Sequence, residues 1–447
     1  MTEEIRTKDP IELLDRDNPE AVRAFVETAH PVDLAAFLEE TPPETARDLL
    51  LSVPLARRAE VFGYLRPEPQ MALARSLDRR QLAEIVTEMD ADDRADLFNR
   101  LSPDQQETLL PALAQAERED IRRLVAYEEG TAGAIMTSDY ATLLPELTAR
   151  QALEALRREA PDKETIYRTY VMDPGRRLIG SVRLQNLILA APETKIADLM
   201  ERETLAVGVN EDQEEVANKI ARYDVLALPV VDGDGRLVGI VTHDDALDTL
   251  QEEATEDFYK VGTVGKLDQS VRDANVGLLY RKRVMWLTLL VFGNLFSGAG
   301  IAYFENTIVA YVGLVFFLPL LIGSGGNAGS QTATLMVRAL ATGDVVLRDW
   351  GRMLGRELLV ALGLGLTMAV AVAPIGVFRA TPEIALVVAL TMVIVVLAGS
   401  IIGMSLPFLL SRFRLDPATA SAPLITSILD AIGVVVYFTV AGFFLFP

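Results

Sequence analysis

Cysteine is absent from this chain of 447 residues, and histidine occurs only at His30 and His243. Without cysteine the protein can form neither disulfide bonds nor thiolate metal sites. Both histidines precede the apolar part of the chain, and no HExxH zinc motif is present. The composition therefore argues against a zinc-dependent membrane protease, and we expect no enzymatic activity.

Basic residues are scarce in the first part of the chain. Residues 1–280 contain 32 Lys or Arg and 56 Asp or Glu, a net charge of −24, whereas the rest contains ten and seven. Such a charge repels nucleic acid, so we expect no nucleic-acid partner, and it attracts cations. The N-terminal sequence MTEEIRTKDPIELLD lacks the apolar core of a signal peptide. We therefore expect the acidic part to remain in the cytoplasm.

The second part of the chain contains five long apolar stretches. Each has at least the roughly 20 residues that a helix needs to cross a bilayer. Arg and Lys cluster before the first stretch, between the second and third, and between the fourth and fifth. This bias predicts a multi-pass protein of the cell (inner) membrane, with cytoplasmic N-terminal domains and the C-terminus outside. The predicted spans are 284–303, 308–338, 352–378, 383–411 and 418–446.

The first 130 residues have apolar positions at helical spacing, as in DLAAFLEE and RADLFNRLS. Short breaks led by Pro or Asp, such as TPPE and LSPDQ, separate these segments. This pattern predicts an all-α N-domain of stacked short helices that forms a small superhelix.

Two related segments follow, each with a helix and then a strand, a turn and a strand. DPGRR and DGDGR supply the turns between the paired strands. The second segment, LPVVDGDGRLVGIVTHDD, resembles a CBS domain closely, and the first resembles it more loosely. The resemblance implies an α+β tandem pair of CBS domains. The predicted domains are 1–130 for the N-domain, 131–198 and 199–255 for the CBS pair, 256–280 for a connecting helix, and 281–447 for the polytopic α-helical membrane domain.

The last apolar stretch contains a carboxylate, Asp430, well inside the predicted span. A lone acid at the bilayer centre costs about 2.5–3.5 kcal/mol on insertion scales. No Lys or Arg lies deep enough in the spans to pair with it, so its partner is a proton or a cation. Thr426 and Ala422 lie on the same helical face as Asp430 and leave room for an ion and water. The alternative is a protonated Asp430 that makes one hydrogen bond between helices.

The second stretch contains GSGGNAGSQTAT, which is rich in small and polar residues at membrane depth. Three glycines close after Pro319 predict a broken helix whose irregular backbone lines a cavity. Close packing of helices through small residues is the alternative. The residues expected to line a polar pathway are Gly323, Gly325, Gly326, Asn327, Ser330 and Thr334.

The motifs GSGGNAGSQTATLMVRALATG and DPATASAPLITSILDAIGVVVYF resemble those of the MgtE family of magnesium channels. The order of N-domain, CBS pair, connecting helix and five spans is also similar, so the resemblance covers essentially the whole chain. It implies a homodimer with the ion path between the two copies. It further implies that Asp430 binds hydrated Mg²⁺ in the pore and that Ser330 stands where some members have Asn.

The same resemblance implies that Mg²⁺ bridges the acidic cytoplasmic domains and that the connecting helix acts as a plug. High internal Mg²⁺ would then favour a compact, closed state, and low Mg²⁺ an open one. Asp416, at the cytoplasmic mouth of the last span, would share a cation with the plug. The other acids expected to bind metal are Asp224, Asp245, Asp248, Glu252, Glu253, Glu256, Asp257, Glu60, Asp93, Asp96 and Glu214. CBS pairs often bind adenine nucleotides, and for ATP we expect contacts from Thr242 and Asp245.

We therefore expect a Mg²⁺-selective channel or transporter that is gated by internal Mg²⁺ and modulated by ATP. Oxygen ligands suit Mg²⁺, and the chain offers no sulfur from cysteine and no imidazole in its spans. A broader transporter of Co²⁺, Mn²⁺ or Ni²⁺, or a carrier coupled to another ion, is the alternative. A CBS-based scaffold would leave Asp430 without a role.

Overall fold

The computed structural model describes residues 18–267, 271 and 274–445. In its N-terminal part, helices begin at the short breaks led by Pro or Asp that the sequence shows. The side chain of Asn18 accepts a hydrogen bond from the Glu20 N–H at 3.0 Å, and Asp78 forms a capping box with Gln81. Pro31, Pro43 and other prolines occupy the first helical position, where no hydrogen bond is lost. The helices are α1 Pro19–Thr28, α2 Pro31–Glu39, α3 Pro43–Ser52, α4 Leu55–Gly63, α5 Pro67–Ser76, α6 Arg79–Glu88, α7 Ala91–Arg100, α8 Pro103–Leu109 and α9 Gln115–Leu124.

These short helices share one apolar core, in which Leu34, Leu50, Phe62 and Ile85 are fully buried. The prediction of a helical N-domain is confirmed for the described residues. Residues 1–17, which that prediction also included, lie outside them.

Each of the two related segments forms a three-stranded sheet. The first strand pairs in parallel with the second, and the second pairs antiparallel with the third. Asp173 closes the first predicted turn by accepting from the N–H groups of Gly175 at 2.8 Å and Arg177 at 2.9 Å. The elements are β1 Tyr140–Leu143, α10 Ala149–Glu159, β2 Thr165–Met172, β3 Leu178–Arg183, α11 Leu184–Leu189, α12 Ile196–Leu199, β4 Val207–Gly208, α13 Gln213–Tyr223, β5 Ala227–Val231, β6 Leu237–Thr242 and α14 His243–Val261.

The remainder of the described chain is helical. Five of its helices are long and apolar enough to cross a membrane, as the sequence predicts. Short 3₁₀ turns at Leu347–Asp349 and Pro417–Thr419 precede two of them. The helices are α15 Val276–Tyr303, α16 Glu305–Ala310, α17 Gly313–Ala341, α18 Trp350–Arg379, α19 Pro382–Arg412 and α20 Ala422–Leu445.

One helix boundary differs from the sequence-based expectation. The connecting segment 256–280, for which the sequence allows one polar helix or a pair of helices, contains the end of α14 at Val261 and the start of α15 at Val276. Residues 268–270 and 272–273 of that segment lie outside the described residues. The second apolar stretch is divided into α16 and α17, since the helix is interrupted at Tyr311.

The chain divides into two compact units, Met1–Gln251 and Glu252–Pro447. They are called the N-terminal unit and the C-terminal unit below.

Candidate functional sites

The glycine-rich stretch is part of a continuous helix, so the prediction of a broken helix is wrong. Helix α17 runs unbroken from Gly313 to Ala341 with Pro319 inside it. A Cβ atom on Gly325 would lie 2.4 Å from Val395 Cγ1, and one on Gly329 would lie 2.8 Å from the Gly399 carbonyl oxygen. A Cβ on Gly403 would in turn meet the Gly329 carbonyl. These glycines let α17 and α19 approach closely, which was the alternative reading of the sequence.

An adjacent face of α17 lies along α20, and the two helices run antiparallel. A Cβ on Gly326 would lie 3.2 Å from Thr426 Oγ1. One turn further along, Ser330 Oγ donates to the Ala422 carbonyl over 3.4 Å. The structure therefore brings together four of the residues expected to line a pathway.

Two tyrosines fix the far end of this helix pair. Tyr437, on α20, donates a 3.0 Å hydrogen bond to the Leu314 carbonyl of α17. Tyr311 donates to the Leu445 carbonyl at 3.1 Å. Because a Cβ on Gly433 would lie 3.3 Å from Ile322 Cγ1, Asp430 lies between the levels of Ile322 and Gly326.

Asp430 has no hydrogen-bond or ion-pair partner in the part of the chain that the structure describes. Its side chain is half-buried. Gly323, at nearly the same level on α17, faces open space, because a Cβ there would meet no atom within 4 Å. The described residues supply no interhelical hydrogen bond to Asp430, so its carboxylate remains available to an ion.

A polar stripe runs along α17 at helical spacing through Ser324, Asn327, Gln331 and Thr334. Asn327, Gln331 and Thr334 are exposed in the single chain. Thr334 Oγ1 donates to the Ser330 carbonyl at 2.9 Å, so it stays within its own helix. We call these four residues the α17 polar stripe.

Glu357 lies in the second turn of α18. Its Oε1 accepts a 2.9 Å hydrogen bond from Thr332 Oγ1. Thr332 is buried on α17, so this contact ties α18 to the glycine-rich helix. Nothing in the local sequence around Glu357 marks this partner, which is 25 residues away.

In the N-terminal unit, helices α7 and α14 pack into one apolar core that contains Ala91, Ala95 and Ala246. This packing places the acids of both helices close together. Asp93 Oδ2 also lies against Gly63 at the end of α4, which carries Glu60. We call Asp90, Asp92, Asp93, Glu164, Asp244 and Asp245 the N-terminal acidic cluster.

Burial and neighbouring carboxylates raise the pKa values of Asp90, Asp92, Asp93, Glu164 and Asp245. Burial, followed by the charges of Asp90 and Asp245, raises the pKa of Asp93 to about 7. Burial and the charges of Asp90 and Asp245 raise the pKa of Glu164 to about 8. Burial raises the pKa of Asp245 to about 6, although Thr242 Oγ1 donates a hydrogen bond to it. The charged cluster is thus held at an electrostatic cost.

Four members of the cluster, Asp90, Asp92, Glu164 and Asp244, were not among the predicted metal ligands. Among the residues that the structure describes, Asp92 Oδ1 and Glu164 Oε2 are buried without a hydrogen-bond partner. Such atoms are rare in native proteins and call for a ligand or water. Within the described ranges, however, no three His, Asp or Glu side chains are arranged to hold a metal ion.

Several predicted sensor residues lie elsewhere in the N-terminal unit. Glu214 and Asp224 stand at opposite ends of α13, so they do not share one site. Asp96 pairs with Arg100 at 3.0 Å. Asp248 lies one turn beyond Asp244 and Asp245 on α14 and is exposed.

In the C-terminal unit, acids are paired with lysines. Lys260 Nζ donates to Glu256 Oε1 at 2.6 Å and also contacts Asp416. Lys266 Nζ lies 2.9 Å from Glu256 Oε2. Glu252 and Glu253 lie near enough to raise the pKa of Lys266. We call Glu256, Lys260, Lys266 and Asp416 the C-terminal ion-pair network.

The network shifts pKa values in the opposite direction to the acidic cluster. The hydrogen bond from Lys260 lowers the pKa of Glu256. Burial alone would lower the pKa of Lys260, but the carboxylates of Asp416 and Glu256 outweigh it and raise that pKa. Asp257 is the exception, because burial and the charge of Asp416 raise its pKa to about 6.

A cavity of about 590 Å³ lies between the two CBS-like segments. Tyr167, Arg168 and Arg183 line it on one side, and Asp224 lies on the other. Arg168 is held by Ser181 and Glu201, at 2.9 and 3.3 Å. Thr242 and Asp245, predicted to contact ATP, do not line this cavity and bond to each other.

Comparison with known proteins places the chain in a class of cation transporters. A family described as divalent cation transporter, MgtE, matches residues 318–440. The MgtE intracellular N domain matches residues 29–130, and the CBS domain matches 132–193 and 196–252. A curated protein of Thermus thermophilus, named magnesium transporter MgtE, is 39% identical over 96% of both chains. One of the same name from Bacillus subtilis is 31% identical over 95% of this chain and 94% of its own.

Solved structures agree with this result. The cytosolic domain of a Mg²⁺ channel MgtE in complex with ATP is 40% identical, with a TM-score of 0.51. It covers 54% of this chain and 98% of its own. The soluble part of a magnesium transporter is 32% identical with a TM-score of 0.50, over 55% of this chain and 96% of its own. The chain belongs to the MgtE family, which confirms the resemblance seen in its membrane motifs.

Proposed function

We propose that the chain forms a homodimeric pathway for Mg²⁺ through the cell (inner) membrane and that internal Mg²⁺ closes it. The observation that carries this proposal is Asp430, a half-buried acid inside the last span that lacks a partner within the described chain. The curated relatives are named magnesium transporters, which supports the choice of ion.

Hydrated Mg²⁺ suits this surrounding. The ion prefers six oxygen ligands in an octahedron and gives up its water reluctantly, so a pathway for it needs width, oxygens and few direct ligands. Asp430 supplies the charge. Oxygens of Thr426, Ser330, Ala422 and Asn327 would contact the water shell, together with backbone near Gly323 and Gly326. Gly325 faces α19 and contributes by packing.

A second copy of the chain would cover the polar side chains of α17 that are exposed in a single chain. Exposed amide side chains at Asn327 and Gln331 are costly in lipid, so they face water or protein. A homodimer that joins the α17 polar stripes of both copies would place two Asp430 side chains at one pathway. Arg338, Arg348, Arg352, Arg356, Arg412 and Arg414 support the orientation with the N-terminal unit in the cytoplasm and the C-terminus outside.

Gating by internal Mg²⁺ follows from the charge of the cytoplasmic acids. Burial and neighbouring carboxylates disfavour the charged forms of Asp93 and Glu164 and raise their pKa values, which supports a role for a bound cation there. A divalent cation there would favour the compact arrangement by its differential affinity for it. Asp224, Asp248, Glu252, Glu253, Glu60, Asp96 and Glu214 would contribute further, weaker attraction.

ATP would bind in the cavity between the CBS-like segments rather than at Thr242 and Asp245. The cytosolic domain of an MgtE channel has been solved with ATP. In this chain, Tyr167 is 67% exposed beside the cavity and can stack on a base. Arg168 and Arg183 can pair with phosphates.

The test is Mg²⁺ uptake into liposomes that contain the full chain. We expect Asp430→Ala to reduce uptake at least about tenfold, a loss of roughly 1.4 kcal/mol in effective ion binding. The control is Glu383→Gln, which removes an exposed acid in the first turn of α19. Uptake that survives Asp430→Ala would rule out Asp430 as the ion-binding group. Competition by Co²⁺, Mn²⁺ and Ni²⁺, and imposed proton or sodium gradients, separate a selective channel from a broader transporter or coupled carrier.

A further inference from the structure

We propose that an anionic phospholipid binds in a groove between the start of α18 and the end of α19. The groove has a volume of about 420 Å³. Leu347 and Trp350 form one wall, and Ile402, Ser405, Leu409 and Arg412 form the other. The proposal rests on the membrane orientation given above and does not require that Asp430 bind an ion.

The α19 wall of the groove extends from the end of the helix towards the membrane interior. The residues Ile402, Ser405, Leu409 and Arg412 follow one face of α19 at helical spacing. Ten residues separate Ile402 from Arg412, which corresponds to about 15 Å along a helix. Helix α19 has 31 residues. Its length of about 46 Å exceeds a hydrocarbon core of about 30 Å, so Arg412 at its end reaches the headgroup level.

The two ends of the groove differ in chemistry. Ile402 lies deepest in the groove and suits an acyl chain, and Leu347 and Leu409 add apolar surface nearer the water side. At the water side stands the Arg412 guanidinium, which is exposed and has no ion pair among residues 18–267, 271 and 274–445. Asp349, which precedes Trp350 in the sequence, accepts a 3.1 Å hydrogen bond from the Val346 N–H.

Trp350 gives the wall a fixed shape. Its indole Nε1–H donates to Ser405 Oγ at 3.3 Å across the groove. Tryptophan is favoured at the membrane interface because one edge is polar and the rest of the ring is apolar. The indole therefore stays at the boundary between headgroup and acyl chain.

Charge complementarity selects an anionic lipid. Arg348 and Arg352 lie on the same end of α18 and are exposed, so the rim of the groove is basic. Basic pockets between membrane helices on the cytoplasmic side bind anionic headgroups, and the cytoplasmic leaflet supplies them. A zwitterionic lipid would offer the same acyl chain without the net charge.

The experiment is native mass spectrometry of the full-length protein in detergent, with phosphatidylglycerol or phosphatidylcholine of equal chain length. We expect wild type to retain phosphatidylglycerol preferentially. Arg412→Gln should weaken that retention about fivefold, the effect of one basic side chain near an anionic surface. The matched control is Arg414→Gln, which removes an exposed arginine that does not line the groove.

A second variant, Leu409→Trp, fills the groove and should lower retention of both lipids while the melting temperature in detergent stays within a few degrees. Equal weakening by Arg412→Gln and Arg414→Gln would overturn the proposal in favour of general surface charge. Equal retention of the two lipids by wild type would also overturn it. If Leu409→Trp splits a dimer instead of releasing lipid, the groove is a protein interface and the proposal is wrong.

Discussion

The N-terminal acidic cluster and the C-terminal ion-pair network both contain carboxylates. They differ in whether basic side chains neutralise these carboxylates. The network has its own cations, since Lys260 and Lys266 neutralise Glu256 and Asp416. The cluster has no ion pair with Lys or Arg in the part of the chain that the structure describes, and only Arg94 and Arg100 offset its charge at longer range. A sequence rich in acids therefore does not by itself show whether its carboxylates are neutralised within the protein. What matters is whether a lysine side chain reaches the carboxylates.

The largest expected effect comes from removing the charge of the cluster. In the absence of Mg²⁺ at pH 8, Asp93→Asn, Glu164→Gln and Asp245→Asn combined should raise the melting temperature of the N-terminal unit within the full-length protein. We expect a rise of about 4–8 °C, since a unit of this size shifts about 2–4 °C per kcal/mol. The same variant should lose most of the stabilisation that added Mg²⁺ gives to wild type. Differential scanning fluorimetry in detergent measures both.

The control for that variant neutralises three exposed acids outside the cluster, Glu107, Glu128 and Glu203. If it raised the melting temperature equally, general repulsion at high net charge would explain the effect. The contrast between the two acidic regions would then have no consequence for stability.

The second expected effect, somewhat smaller, is a dependence of the melting temperature on pH that differs between the cluster and the network. The pKa values of Asp93, Asp245 and Glu164 in the folded unit are about 7, 6 and 8, above the unfolded values near 4. The folded state therefore binds more protons, and its stability falls as pH rises through this range. Without Mg²⁺ we expect the melting temperature to fall by about 3–6 °C between pH 5.5 and 8.5.

The pH effect has an internal check. Glu164→Gln should flatten the upper part of the curve, because Glu164 titrates last. In the network, the lowered pKa of Glu256 has the opposite sign, so its stabilisation is lost only as pH falls below about 4. A melting temperature that rises with pH from 5.5 to 8.5 would contradict the assignment of the cluster.

The smallest expected effect comes from Lys260→Met, which removes the central cation of the network. A partly exposed ion pair is worth about 1 kcal/mol or less. We expect the melting temperature of the Mg²⁺-free protein to fall by about 2–3 °C. Added Mg²⁺ should restore the loss, because Glu256 and Asp416 are then free to attract it. Lys195→Met, at an exposed site in the N-terminal unit, is the control, and a loss that Mg²⁺ leaves unchanged would argue against cation exchange in the network.

Regular patterns in the sequence were sufficient for much of the fold. The turn at Asp173 and the matching turn at Asp232 follow from local chemistry, because each aspartate binds backbone N–H groups of its own turn. Five spans follow from length and apolarity. The sequence alone also singles out Asp430 as a candidate ion-binding residue, since a lone acid in a span is costly wherever its helix lies.

Partners that are distant in sequence could not be predicted. Glu164 joins acids about 70 residues earlier, and no local pattern near it records this. The prediction of a broken helix at the α17 glycines failed because glycine favours both a helix break and a close contact between helices. Only the position of Gly399 and Gly403 on α19 distinguishes the two.

The seam of glycines between α17 and α19 has a mechanical consequence. Backbone lies against backbone there, and a single added methyl group on Gly403 would collide with the Gly329 carbonyl. Because the two backbones are in contact, α17 and α19 cannot shift past each other gradually. We expect them to move as one rigid body. We therefore expect alanine substitutions at Gly325, Gly329, Gly399 and Gly403 to be poorly tolerated.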